Sequence, residues 1–281
     1  MKVIVTGASG QLGMDVAKAL LSEHIECLCP NSRDLDITKH ENVLSFISDE
    51  KPDAVINCAG YTNVDRAETD KERCMMINAY GPENLAEACS EAGAKLLHIS
   101  TDYVFDGESN RPYETSDPVN PLNVYGISKL AGEQAVQKRM TQYFIVRTSW
   151  LIGLHGNNFV RTMLRLSKSA DEVRVVADQI GSPTFAADLA PLLCTMVKTD
   201  RYGIYHATNE GFTTWADLAE EVFKQANKKT RVVRVSTEEY GAKALRPKNS
   251  RLSKTSLDLA GFPRLSDWKT SLASMLMNSH C

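Results

Sequence analysis

The sequence predicts an α/β fold: a doubly wound parallel sheet with a smaller α/β lobe towards the C-terminus. Three observations lead there. Short apolar runs without alternation recur through the first 150 residues, at Val3–Val5, Ile25–Cys29, Ala54–Ile56, Lys95–Ile99 and Tyr143–Val146. Such runs suit strands buried on both faces. Between them lie segments of helical spacing, Leu12–Ser22, His40–Ser48, Cys74–Ala92 and Ser128–Arg139. Strand and helix therefore alternate, which implies right-handed crossovers with helices on both faces. Finally, the first run ends in a turn with three regularly spaced glycines. Ligands of such sheets bind beyond the carboxyl ends of the strands, so the residues following each run are the candidates for function.

After about residue 150 the pattern loosens. Helical stretches at Asn158–Ser169, Ala186–Thr199, Thr214–Ala226 and Ser266–Met277 are separated by short strands at Val173–Val176 and Arg231–Val235. Proline-bearing connections stand at Gly181-Ser182-Pro183 and Arg246-Pro247. The expected division is a nucleotide-binding domain over residues 1–150 and a mainly substrate-binding lobe over 151–281, with some segments of the latter returning to the first domain. A chain of 281 residues can bury a core of that size.

Composition excludes several partners. Lys+Arg number 32 against 35 Asp+Glu, a net charge of −3, so no general field favours nucleic acid or an anionic membrane. Any phosphate site must be local. The opening apolar run, Val3-Ile4-Val5, is too short for a signal-peptide core or a membrane span, and no later segment is long enough; a soluble, cytoplasmic protein is expected. The seven cysteines, Cys27, Cys29, Cys58, Cys74, Cys89, Cys194 and Cys281, are odd in number and form no pair of C-x2-C motifs. Reduced thiols fit that usage, and Cys27-x-Cys29 lacks the second ligand pair of a structural zinc site.

In Val3-Ile4-Val5-Thr6-Gly7-Ala8-Ser9-Gly10-Gln11-Leu12-Gly13 a strand enters a glycine turn that opens a helix. Gly7 suits the tight turn, Gly10 lets backbone approach a pyrophosphate, and Gly13 lets helix pack on sheet, while free N–H groups at the helix start face the anion. Standing at the first strand of an alternating chain, this turn is expected to be a Rossmann-type dinucleotide site, the alternative being an ordinary strand-to-helix turn. Its G-x-x-G-x-x-G spacing resembles that of the extended short-chain dehydrogenase/reductases. The second strand ends at Cys29-Pro30-Asn31-Ser32-Arg33, with no acidic residue at its tip for a ribose 2′-hydroxyl. Arg33 either meets a 2′-phosphate, which points to NADPH with NADH also compatible, or is an exposed loop arginine.

Tyr125-Gly126-Ile127-Ser128-Lys129 puts a phenol and an ammonium four residues apart on one helix face. Ketone reduction needs such a pair: hydride arriving at the carbonyl carbon leaves negative charge on oxygen, where a proton donor must stand. A phenol with pKa ~10 becomes useful there when a nearby cation stabilises its phenolate. The segment His98-Ile99-Ser100-Thr101-Asp102-Tyr103-Val104-Phe105 supplies hydroxyls where a strand ends, placing Thr101 to bond the same carbonyl oxygen.

Longer motifs extend the resemblance. Ser100–Gly107, Pro121–Glu133, Arg147-Thr148-Ser149-Trp150, Gly156–Phe159, Asp178-Gln179 with Gly181–Thr184, and Arg246-Pro247 with Asn249-Ser250 strongly resemble the dTDP-4-dehydrorhamnose reductase family, over nearly the whole chain. The resemblance implies NAD(P)H-dependent reduction of the C4 keto group of a dTDP-sugar, the last step of rhamnose-donor synthesis. It implies catalytic roles for Thr101, Tyr125 and Lys129. It implies cofactor contacts at Gly10-Gln11-Leu12, Asp36-Ile37, Gly60-Tyr61-Thr62, Tyr125 and Lys129, beside the turn glycines Gly7 and Gly13. Thr101, Asp102 and Trp150 would contact the sugar nucleotide; an indole face packs on a sugar or base while its N–H donates. Asn158, with Asn157, either bonds sugar or phosphate oxygens or caps the following helix.

In one departure, Leu151-Ile152-Gly153 stands where many members carry an aromatic before the glycine. Some members are magnesium-linked dimers; here the C-terminal helix has only Asp267 as an acid, so no metal is expected, and the chain is expected as monomer or homodimer. Two other readings share these motifs: a reductase of another nucleotide-linked 4-keto-6-deoxysugar, and a non-catalytic regulatory subunit resembling that of methionine adenosyltransferase.

Overall fold

The computed structural model describes residues 1–278; Cys281 lies outside them. The strands are β1 (Lys2–Thr6), β2 (Glu26–Leu28), β3 (Ala54–Asn57), β4 (Lys95–Thr101), β5 (Tyr143–Thr148), β6 (Glu172–Val176), β7 (Gly203–His206) and β8 (Arg231–Val235), with shorter two-residue pairings between them. Six of these form one parallel sheet in the order β7-β5-β4-β3-β1-β2. Chain order reverses beside β1, so the crevice beyond the ends of β1 and β3 is the topological switch point where such sheets bind ligands. All five runs read as strands in the first half are strands of this sheet. The sixth, β7, comes from beyond residue 150 and pairs with β5; only four residues long and ending in a buried His206, it carries no apolar run that periodicity could detect.

The helices are α1 (Gln11–Ser22), α2 (His40–Glu50), α3 (Lys71–Met75), α4 (Gly81–Ala92), α5 (Val124–Arg139), α6 (Phe159–Leu166), α7 (Ala186–Val197), α8 (Trp215–Gln225) and α9 (Trp268–Asn278), with short helical turns elsewhere. Two apolar layers clamp the sheet. On one face Val16, Leu20, Leu189 and Leu193 from α1 and α7 pack against Val3, Val5 and Ile56. On the other Val43, Ile47, Leu85 and Val136 from α2, α4 and α5 pack against Ile4, Val55 and Ile145. Strands covered on both sides account for their unbroken apolar composition. The C-terminal lobe has its own core, in which Val160, Met163, Val173, Phe185, Leu218, Val222, Trp268 and Leu272 meet.

Two local departures from the sequence expectation shape the site. The single helix expected over Cys74–Ala92 is α3 and α4 joined by a π-helical turn at Met76–Tyr80. That turn delivers Asn78 into the crevice wall. Helix α5 begins at Val124, not Ser128, because the Asn123 side chain caps it by accepting from the Gly126 N–H at 2.8 Å. The earlier start puts Tyr125 in the first turn.

Candidate active site

At the glycine-turn end the crevice is built from backbone. Gly7 has φ +66°, and a Cβ there would stand 2.6 Å from the Ala59 nitrogen on the neighbouring loop. A Cβ on Gly13 would meet the Gly7 carbonyl and stand 2.6 Å from the Ala8 Cα. The turn closes by Gly10 N–H donating to the Gly7 carbonyl at 2.9 Å, and Gly10 precedes α1 without a side-chain cap, leaving the first N–H groups of a twelve-residue helix facing the crevice. A cradle that no side chain fits into suits a dinucleotide pyrophosphate. Leu12 turns its side chain into the core. Gln11 reaches across to the second lobe, its Oε1 accepting from the Gly153 N–H at 2.9 Å and from Asn158 Nδ2 at 2.8 Å.

Further along the same side, the Arg33 side chain is exposed in the loop after β2, while the Asn31 amide bonds the Asp34 carboxylate, an acid one residue beyond the loop considered for the ribose. Asp36 holds the Thr38 N–H and hydroxyl, at 3.0 and 2.7 Å. Ile37 is buried against Gly81, and its carbonyl accepts from Asn84. Gly60 and Thr62 are exposed, and Tyr61 is anchored between them by Asn78, which accepts the Tyr61 N–H and donates to its carbonyl. Asn78 also donates to the Ser128 hydroxyl at 3.0 Å, tying the cofactor loop to α5.

Thr101 and Tyr125 meet at the mouth. Burial pushes the Tyr125 phenol up from its ordinary value, opposed by the nearby Thr101 hydroxyl. The Tyr125 ring also meets Tyr103 edge-on at 5.5 Å. Only a glycine fits at 126, where a Cβ would strike the Tyr103 carbonyl. Thr101 donates to Asp102 Oδ1 at 2.9 Å. Asp102 is buried, and its Oδ2 has no hydrogen-bond partner among the described residues. Desolvation raises its carboxyl to about 7, opposed first by the Thr101 hydroxyl. Lys129 lies one turn deeper than Tyr125, its ammonium donating to the Ile99 carbonyl at 2.6 Å and lying 3.2 Å from His98 Nε2. Burial lowers it to about 8. Beneath it, Glu133 and Arg147 form a buried ion pair at 2.7 Å, with Ser100 donating to the same carboxylate.

The facing wall is aromatic. Trp150 adopts φ +48°, a conformation that costs energy in a bulky residue and is kept where surroundings enforce it. Its ring stacks on Trp215 at 3.7 Å, and Phe159 tilts onto Trp215 at 4.7 Å. Gly181 permits this: a Cβ there would lie 2.9 Å from the Trp150 ring and 2.5 Å from the Ser250 hydroxyl. Asn158 caps α6, accepting from the Arg161 N–H at 3.0 Å, while its amide bonds Gln11 and the Gly153 carbonyl. Its oxygen thus makes the helix cap, one of the two roles open to it. Arg246 pairs with Asp65 at 2.8 Å and holds the 241–248 segment beside Tyr103. Trp215, Asn78, Asn57 and the Glu133–Arg147 pair escaped sequence reasoning; their relevance arises from contacts between distant segments.

A switch-point crevice with a glycine cradle on one side and a hydroxyl–phenol–lysine set on the other defines a dinucleotide-dependent oxidoreductase. The chain belongs to the family described as the RmlD substrate binding domain, whose pattern it matches over residues 1–281. It is 40% identical to the dTDP-4-dehydrorhamnose reductase of Aggregatibacter actinomycetemcomitans, with 98% of each chain covered. It is 38% identical to the dTDP-4-keto-6-deoxy-D-glucose reductase of Streptomyces niveus, covering 96% of this chain and 94% of that one. Among solved structures, the Bacillus anthracis dTDP-4-dehydrorhamnose reductase in complex with NADP superposes with a TM-score of 0.96, at 45% identity and 99% coverage of both chains.

Proposed function

We propose that this chain reduces the C4 keto group of dTDP-4-dehydro-β-L-rhamnose to dTDP-β-L-rhamnose with NADPH, NADH serving as a second donor. The observation that carries the reading is the hydroxyl pair of Thr101 and Tyr125 at the end of β4, with Lys129 on the same helix face. When bound, the nicotinamide supplies hydride to the sugar carbon. Gly7, Gly10 and Gly13, the backbone of Gln11 and Leu12, and the segments Asp36-Ile37 and Gly60–Thr62 would hold the dinucleotide, with Arg33 at its 2′-phosphate. Tyr125 donates its proton to the carbonyl oxygen, Thr101 donates a hydrogen bond to that oxygen, and Lys129 supplies the positive charge that stabilises the phenolate. Trp150, backed by Trp215, packs on the sugar nucleotide, and Asp102 bonds a sugar hydroxyl. Asn158 acts through Gln11, holding the pyrophosphate turn against the second lobe.

No helix among the described residues is long and apolar enough to cross a membrane, and the reading is of a cytoplasmic enzyme, monomer or homodimer, with residues 1–150 mainly binding cofactor and 151–281 mainly substrate. The Streptomyces niveus relative favours one second reading, a reductase of a different dTDP-linked 4-keto-6-deoxysugar. Progress curves at 340 nm with each dTDP-sugar decide between them: faster turnover of the L-rhamnose precursor supports the first reading, and preference for the D-glucose-derived ketone the second.

A further inference from the structure

The buried hydrogen bonds behind Lys129 fix a proton position. The Ala59 N–H donates to Asn57 Oδ1 at 3.1 Å and the Thr6 hydroxyl donates to the same oxygen at 2.7 Å. A backbone N–H can only donate, so the amide cannot be turned round, and Asn57 Nδ2 faces His98 Nδ1 at 3.0 Å. His98 Nδ1 must therefore accept. His98 is fully buried, which disfavours its charged form, so the single proton of the neutral ring sits on Nε2. Nε2 is the atom that faces Lys129 Nζ at 3.2 Å. An N–H meeting an ammonium is repulsive, whereas an N–H meeting a neutral amine is a hydrogen bond.

We propose that His98 is a positioning residue of this reductase, presenting Nε2–H to Lys129 so that the neutral amine has a docking place there. The proposal rests on the reading that Tyr125 and Lys129 act as a pair. Once Tyr125 has given its proton to the carbonyl oxygen, its phenolate must regain one. Transfer from the Lys129 ammonium gives phenol and amine; the amine docks on His98 and later recovers its proton from water. His98 stabilises the product of that transfer. The other titratable groups facing Lys129 are Cys58 beyond β3, Cys74 on α3, and Glu133 on its own helix, with Glu133 already engaged by Arg147 and Ser100. None of them is held by the Asn57 lock.

Nitrogen-15 imidazole spectra of the whole enzyme test this directly, the His98 signals being assigned by their loss in His98→Gln. The expected result is an unprotonated Nδ1 and a protonated Nε2, unchanged from pH 6 to 9. A protonated Nδ1, or an imidazolium that titrates in that range, overturns the proposal. Because these spectra need no turnover, they stand even if the enzyme reduces a different sugar. The second arm is the basic limb of the kcat–pH profile. In His98→Phe the limb moves up by roughly one unit, the worth of one hydrogen bond to the amine, while His98→Gln, which keeps a donor at that place, retains the wild-type limb. Superimposable wild-type and His98→Phe profiles contradict the proposal. Should His98→Phe not fold, Asn57→Asp serves: its carboxylate accepts from His98 Nδ1, and the spectra should show the proton moved to that nitrogen. Retention on Nε2 would refute the lock.

Discussion

The two walls of the crevice are made of different material. The wall proposed for the cofactor is backbone: Gly7 and Gly13 stand where a Cβ would come within 2.6 Å of neighbouring main chain, and the groups on offer are N–H donors at the start of α1. The wall proposed for the substrate is side chain: the Thr101 and Tyr125 hydroxyls, the buried Asp102 carboxyl, and Trp150 stacked on Trp215. A backbone wall recognises a ligand by shape and fails by collision. A side-chain wall recognises by chemistry, and single atoms can be removed from it without disturbing the other wall.

The largest expected effect lies on the side-chain wall. Tyr125→Phe removes only the phenolic oxygen, and kcat should fall ~10²–10⁴-fold with dinucleotide affinity unchanged, as general-acid groups contribute that much. Stopped-flow turnover alongside calorimetric NADPH binding separates the two quantities, and near-normal turnover would take Tyr125 out of the chemistry. Next comes Gly13→Ala. Overpacking of about 1–3 kcal/mol should weaken NADPH binding tenfold or more by isothermal titration; wild-type affinity would mean that the glycine cradle is not the cofactor wall.

Trp215→Ala tests the aromatic stack. Loss of the 3.7 Å partner frees Trp150 from its positive-φ pose, and steady-state kinetics should show KM for the dTDP-sugar rising several-fold, given stacking worth about 0.5–1.5 kcal/mol, with KM for NADPH unmoved. A rise in both would join the walls that the comparison separates. The smallest effect is a slope. Burial raises the Asp102 carboxyl to about 7 in the folded protein, well above its ordinary value, so between about pH 4 and 7 the folded state binds the extra proton. Stability from this group is present at low pH and is lost as pH rises through 7. Urea unfolding across that range should show the decline in the wild-type and a shallower one in Asp102→Asn; identical slopes would mean that Asp102 titrates as an ordinary carboxylate.

The backbone wall was largely legible in the sequence, because a glycine is itself the record of a collision avoided. Apolar runs located β1 to β5; β1 and β3 to β5 are covered on both faces, whereas β2, at the sheet edge, is only half-buried. The side-chain wall was legible only where its residues share a segment, as Thr101 with Asp102 or Tyr125 with Lys129. What the sequence could not convey were contacts closed by folding: Trp215 beneath Trp150, Asn78 between Tyr61 and Ser128, and the Asn57–His98–Lys129 chain. Asn158 shows the same limit from the other side: its residue type suits a ligand and a helix cap equally, and its bonds to Arg161 and Gln11 are visible only in the fold. The π-helical turn at Met76–Tyr80 has no periodic signature, yet it carries Asn78 to its place.

Such a crevice should move a hydride and a proton to a dTDP-linked 4-keto sugar. The most direct test is NADPH oxidation at 340 nm by the purified protein with dTDP-4-dehydro-L-rhamnose, run beside the UDP counterpart and beside Tyr125→Phe. Rapid oxidation with the dTDP-sugar, yielding dTDP-L-rhamnose, and its near-complete loss in the variant are expected. Tight NADPH binding without oxidation of either sugar would contradict that expectation, leaving a dinucleotide-binding protein whose site performs no reduction of these ketones.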